Sequence, residues 1–328
     1  MGFFYRIFLS HTIGAQGVGI YQLTLPVHAI VLAACCMGIQ AAISRLCASF
    51  TALGKEKESR DALLLGAFLS MALCGLLSFL VYWNADFVAS VLLKEPRTAV
   101  LLRILAFSFP FSALHSCVNS FYYARKTTGI PAFILLLEQT SRIGSTYVIY
   151  LILISQKKEI TPVIAAGGAL FSELTATAAC MLALGLDFSR ENYKPVTGLF
   201  RRILRVFFCM SKGTHRDSPS AVKYISHIQP AFVKNNTATS LNSLIKEIAQ
   251  IAVPHSVNRL LLTLLSGIEM VLIPQRLLLS GINQTDSLSV YGIFTGMALP
   301  LILFPGDTDK FCLCYADAFC GWFTGPRS

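Results

Sequence analysis

The chain has 328 residues and carries 27 Lys/Arg against 17 Asp/Glu, a formal net charge of +10. Only 13% of its residues are charged, 54% are hydrophobic, and the mean hydropathy is +0.62, which excludes an ordinary soluble domain, where about 25% of residues are charged. The basic excess therefore reads as loop charge of a polytopic membrane protein obeying the positive-inside rule. It does not read as a nucleic-acid surface, because the aromatic residues sit inside apolar runs.

The opening, MGFFYRIFLSHTIG, has neither a basic region ahead of its apolar part nor a small-residue cleavage site, so it is not a signal peptide. It reads as the end of a helix, its beginning missing, that runs into a turn at Gly14. Ile20–Leu46 form a long apolar span with Pro26 near its entry, followed by the polar loop GKEKESRD at 54–61. Ala62–Trp83 make the next span, residues 84–97 a short amphipathic connection, and Thr98–Tyr123 a span that contains Arg103 and Pro110. ARKTTG (124–129) is a basic turn, Ile130–Ser155 a span, QKKEIT (156–161) a loop, and Pro162–Leu186 a further span. Each is near the ~20 residues that cross about 30 Å of hydrocarbon.

Residues 187–246 form a long polar connection with ten Lys/Arg and an apolar-basic piece, LFRRILRVFF at 199–208, which predicts an amphipathic helix on the membrane surface. Residues 247–275 follow as a span bracketed by Pro254 and Pro274, and another begins near Ser289. If residues 45–61, 124–128 and 187–246 share a side, that side holds sixteen Lys/Arg and the opposite loops hold five, which makes it cytoplasmic. The last stretch, 306–328, breaks the pattern with three cysteines, a tryptophan and scattered aspartates. It is expected to be an aberrant, truncated or frame-shifted tail. Its C-x-C-x5-C spacing is no zinc motif, and the remaining cysteines read as small hydrophobes.

Seven charges fall inside spans: Arg6, Arg103, Glu138, Arg142, Glu173, Arg259 and Glu269. A charge at the bilayer centre costs roughly 2.5–3.5 kcal/mol, so such residues usually face a cavity. Glu138 and Arg142 are four apart and share a helix face. Together these charges predict a hydrated, net-basic cavity suited to an anionic substrate with an apolar part, since guanidinium groups bind phosphate through a fixed donor fork. Arg103, near a boundary, lines that cavity or snorkels to a headgroup. His11, His28, His115 and His255 are isolated and read as packed or interfacial side chains. The chain carries no phosphate-binding glycine loop, zinc-protease motif or nucleophile elbow, so neither an enzyme nor a cofactor is expected.

Several motifs together resemble the polysaccharide-transport branch of the multidrug/oligosaccharidyl-lipid/polysaccharide exporter superfamily. They are GAQGVGIYQLTLP (14–26), GIQAAISRL (38–46), ARKTTGIPAFILLLEQTSRI (124–143), IAVPHSVNRLLLTLLSGIEMVLIPQRL (251–277) and LSVYGIFTGMALPLILFP (288–305), in the family's order. The resemblance implies an all-α polytopic membrane bundle of about seven to eight spans, the first lobe of a two-lobe flippase-like fold in a bacterial cell membrane. On that division residues 1–186 are the first-lobe bundle, 187–246 a cytoplasmic loop, 247–305 the start of a second lobe and 306–328 the aberrant tail. The implied function is flipping of a lipid-linked anionic oligosaccharide or peptidoglycan precursor by alternating access, with membrane lipids and a missing second lobe as partners. Arg45, Arg142 and Arg259 are the implied substrate-binding residues, and Glu138, Glu173 and Glu269 the ion-pair or coupling residues. His11 stands where the family often has a basic residue. The alternatives left open are a cation-coupled multidrug exporter of the same superfamily and a non-transporting membrane remnant.

Overall fold

A computed structural model describes residues 2–157, 161–190 and 241–299. The expectations for the surface helix at 199–208 and for the tail at 306–328 lie outside the described residues. Helix α1 spans Gly2–Leu32, α2 Gly38–Ala52, α3 Glu56–Trp83, α4 Ala85–Phe87 and α5 Thr98–Ala124. Then come α6 at Gly129–Ser155, α7 at Val163–Arg190, α8 at Leu241–Leu279 and α9 at Gln284–Ile293. Single π-helical turns occupy Ala33–Met37, Val88–Leu92 and Phe294–Ala298. The chain is an all-α bundle of membrane-spanning type, with no strand among the described residues.

Gly14 breaks α1 at φ 72° and ψ 170°, a conformation that a residue with a Cβ resists, so the expected turn lies where the sequence put it. Beyond it the first apolar span is longer than its hydrophobic run: helix continues through the π-turn Ala33–Met37 to Ala52. Among the described residues, five helical stretches are long and apolar enough to cross a membrane, and α6 is not one of them. Its length is ample, but the run EQTSRIGST at 138–146 puts polar side chains where the other spans keep apolar ones. Helix α8 is 39 residues long and takes Pro254 and Pro274 into its interior, so these prolines do not bracket the span. At about 1.5 Å rise per residue it is nearly twice the length that the hydrocarbon thickness needs.

Apolar lipid tails leave no hydrophobic drive between spans, so association rests on close packing and interhelical hydrogen bonds. Phe121, Tyr122, Ile43, Leu63, Ile134 and Cys180 fill one core between α2, α3, α5, α6 and α7, which Leu244 and Ile248 of α8 join. Leu23, Leu105, Phe109, Ala165 and Tyr291 fill a second, tying α1, α5, α7 and α9. Small residues make the contacts close. A Cβ at Gly168 would collide with Thr146 Oγ1 across α6 and α7, and one at Gly38 with the Ala252 carbonyl and Ser256 Oγ across α2 and α8. Pro110 leaves the Ala106 carbonyl without its helical donor, and Ser78 Oγ of α3 donates to that oxygen.

Two sets of polar contacts mark the ends of the bundle. Arg125 Nη2 lies 3.1 Å from Glu56 Oε2, which joins the turns before α3 and before α6. At the other end, Lys94 Nζ donates to Gln275 Oε1 at 3.3 Å and Gln284 Nε2 donates to Glu95 Oε2 at 2.8 Å. Among the described residues, the loop at 45–61 thus lies with that at 124–128, and the loop at 84–97 with that at 276–289.

Candidate functional site

Helices α5, α6 and α7 bring His115, Glu138, Arg142 and Glu173 to one place inside the bundle. The i, i+4 spacing stacks Glu138 and Arg142 on one side of α6, where Arg142 Nη2 lies 2.7 Å from Glu138 Oε1. The same nitrogen lies 3.9 Å from Glu173 Oε1 of α7, and Arg142 Nε donates to Ser172 Oγ at 3.2 Å. From α5, His115 Nδ1 comes to 3.2 Å from Glu173 Oε2, without the alignment of a hydrogen bond. Glu173 is nearly sealed, its side chain 7% exposed.

A layer of hydroxyls surrounds these charges. Thr146 Oγ1 donates to the Arg142 carbonyl at 2.7 Å and meets Tyr5 OH at 3.4 Å. Thr175 Oγ1 donates to Ser141 Oγ at 2.8 Å, and Thr177 Oγ1 to the Phe111 carbonyl at 3.0 Å. Two carboxylates therefore share one guanidinium. The site carries a net negative charge with His115 neutral and none with His115 protonated, and in a low-dielectric interior that difference is large. This departs from the net-basic cavity expected from the sequence. Arg142 already pairs with Glu138 and faces Glu173 through the same nitrogen, which makes it a counter-charge to two carboxylates.

The remaining site residues stand elsewhere. Arg45 on α2 and Arg259 and Glu269 on α8 are exposed, and none has an ion-pair partner among the described residues. Glu269 lies on an open face of α8 with Leu265, Ile268, Leu272 and Arg276. Arg6 donates through Nη1 to the carbonyls of Thr295 and Gly296, both at 3.2 Å, which places a guanidinium over the last π-turn. Arg103 pairs with Asp86 at 2.6 Å at the end of α5, the outcome of a residue near a boundary. His115 was not legible as a site residue. Its partner lies 58 positions away on another helix, and the only local signal was an imidazole in the middle of an apolar span.

Residues 1–148 match the MatE family profile. Over 305 residues the chain is 22% identical to stage V sporulation protein B of Bacillus subtilis (strain 168), an alignment covering 93% of this chain and 52% of that protein. The chain thus spans about half the length of the curated relative it matches. No solved structure matches.

Proposed function

We propose that this chain, a multi-pass cell-membrane protein resembling the multidrug/oligosaccharidyl-lipid/polysaccharide exporters, moves a lipid-linked anionic oligosaccharide across the bilayer by alternating access. The observation that carries this is the exposed face of α8. Arg259 and Glu269 stand there, ten residues apart, in a span that is mostly apolar between Val253 and Leu272, and exposure of such charges to hydrocarbon is costly. A face of this kind borders a hydrated pathway. The same face sets apolar side chains beside the charges of Glu269 and Arg276, which suits a cargo with a lipid tail and an anionic linkage.

In this reading Arg259 and Arg45 contact the phosphate, and Arg142 holds Glu138 and Glu173 in place. Further helices of the second lobe, whose start α8 forms, pack over α8, the least enclosed of the apolar stretches among the described residues, 6% buried against 28–56% for the others. The precursor class, which the family resemblance suggests and the relative's name fits, is that of a spore or cell envelope. The acidic surplus at Glu138 and Glu173 gives the protein a place for a coupling cation. It also supports the second reading, a multidrug exporter whose cargo is itself a lipophilic cation.

Vesicles reconstituted with the protein, purified together with the chains that accompany it in its native membrane, test both. Flipping of a fluorescent lipid-linked oligosaccharide above the rate of empty vesicles is expected. Arg259→Ala should slow it about 10–100-fold, as expected for losing a charged hydrogen bond of about 1.5–3 kcal/mol. If wild type and variant both match empty vesicles while a lipophilic cation is exported, the drug-exporter reading replaces the flippase reading.

A further inference from the structure

The turn between α4 and α5 reaches across to both arms of the α8–α9 hairpin. Lys94 Nζ donates to Gln275 Oε1 on α8, and Glu95 Oε2 accepts from Gln284 Nε2 on α9. The hairpin is one unit at this end, since Ser287 Oγ of α9 donates to the Pro274 carbonyl of α8 at 2.8 Å. The turn is held just as firmly to the bundle. The Glu95 amide donates to the Ala89 carbonyl at 3.0 Å, and the Glu95 carbonyl accepts from both the amide and the hydroxyl of Thr98. Leu93 is buried against Ala85, Ala89 and Leu102. At this turn the two bodies meet through two side-chain hydrogen bonds beside the packing of Val271 of α8 on the Leu93 cluster, while α1 and α2 hold the hairpin farther along its length.

Glu95 is the unusual member. A loop carboxylate is ordinarily solvated, yet this side chain is 6% exposed and its one ion-pair partner among the described residues, Arg97, lies 3.6 Å away and is itself 65% exposed. It lines a cavity of about 260 Å³ with Gln16, Gln284, Thr285 and Leu288, at the first turn of α9, where the helix dipole favours negative charge. One turn further along α9, the backbones of α1 and α9 touch: a Cβ at Gly19 would strike the Leu288 carbonyl, and one at Gly292 the Ala15 carbonyl. A contact this close makes the crossing a fixed point between the two helices.

The geometry points to the Lys94–Glu95 turn as a latch that clasps the tip of the α8–α9 hairpin, with the Gly19–Gly292 crossing as its pivot. Glu95 is the pin. Release of Gln284 from its carboxylate frees the hairpin tip to swing away from the bundle and opens that end of the molecule. The inference rests on relative motion of the two bodies, which the proposed transport cycle uses, but its test involves no cargo and can fail while transport stands.

Spin labels at Ser90→Cys and Ser280→Cys, in the full chain in lipid nanodiscs with its native cysteines replaced, report the distance across the latch by pulsed electron resonance. A second pair, Ser90→Cys and Ser155→Cys, lies wholly within the bundle. Glu95→Ala and Gln284→Ala should each add a longer-distance population for the first pair and leave the second unchanged. The double variant should go no further than either single one, and Glu95→Gln, which keeps the shape of the side chain, should shift less. Unchanged distances in Glu95→Ala, additive effects of the two substitutions, or equal broadening of the bundle pair would each overturn the latch.

Discussion

Glu138, Arg142, Glu173 and His115 show that the role of a membrane-embedded charge depends on its neighbours more than on its type. Arg142 as a single residue is a candidate phosphate ligand; between two carboxylates it is the counter-charge that lets both remain inside the bundle. Its removal leaves them uncompensated, and breaking a buried pair this way costs about 3–5 kcal/mol. Arg142→Ala should therefore lower the unfolding midpoint in detergent sharply, and Glu138→Gln, which leaves Glu173 its partner, much less. Equal midpoints for wild type and Arg142→Ala would show that the pairs carry no stability. The Glu138–Arg142 half of this site was legible because four residues along a helix make one face. The Glu173 and His115 half was not, because nothing local to α5 or α7 says which way those helices turn.

At the scale of elements, the spans were legible as apolar runs of the right length, and their ends as basic or glycine-containing turns. Helix continuity was not. The sequence suggested that Pro254 and Pro274 would bound a span, yet α8 runs through both, and Ser78 of α3 shows how a neighbouring helix satisfies a proline-freed carbonyl. Close packing is the other element-scale constraint. Gly168→Ala drives a methyl into Thr146 Oγ1 and should destabilise the α6–α7 pair by about 1–3 kcal/mol. Adding Thr146→Ala removes the colliding oxygen, so the double variant should recover part of the loss in a denaturant titration. No recovery would mean that the clash lies elsewhere.

For the whole molecule, the contacts among the described residues place the loop at 45–61 with that at 124–128, through Arg125–Glu56, and the loop at 84–97 with that at 276–289, through Glu95–Gln284. We predict that an impermeant maleimide labels Gln156→Cys in intact cells and Lys126→Cys only after permeabilisation, both positions being exposed. The reverse pattern would invert the assignment of residues 187–246 to the cytoplasm.

The sequence by itself determined that the chain is an all-α membrane bundle, roughly where its helices lie, which of the described end loops lie together, and that Glu138 can pair with Arg142. These follow from run length, charge bias and helical period, which are properties of neighbours along the chain. Only the tertiary structure decided that Glu173 takes the second share of Arg142, that His115 belongs to the same site, that Arg259 and Glu269 stand exposed on α8, and that Glu95 reaches the hairpin. Each depends on which faces of distant helices meet. That is set by side-chain shape at crossings such as Gly168 against Thr146 and Gly38 against Ala252, where apolar lipid offers no preference of its own and packing alone selects the partner.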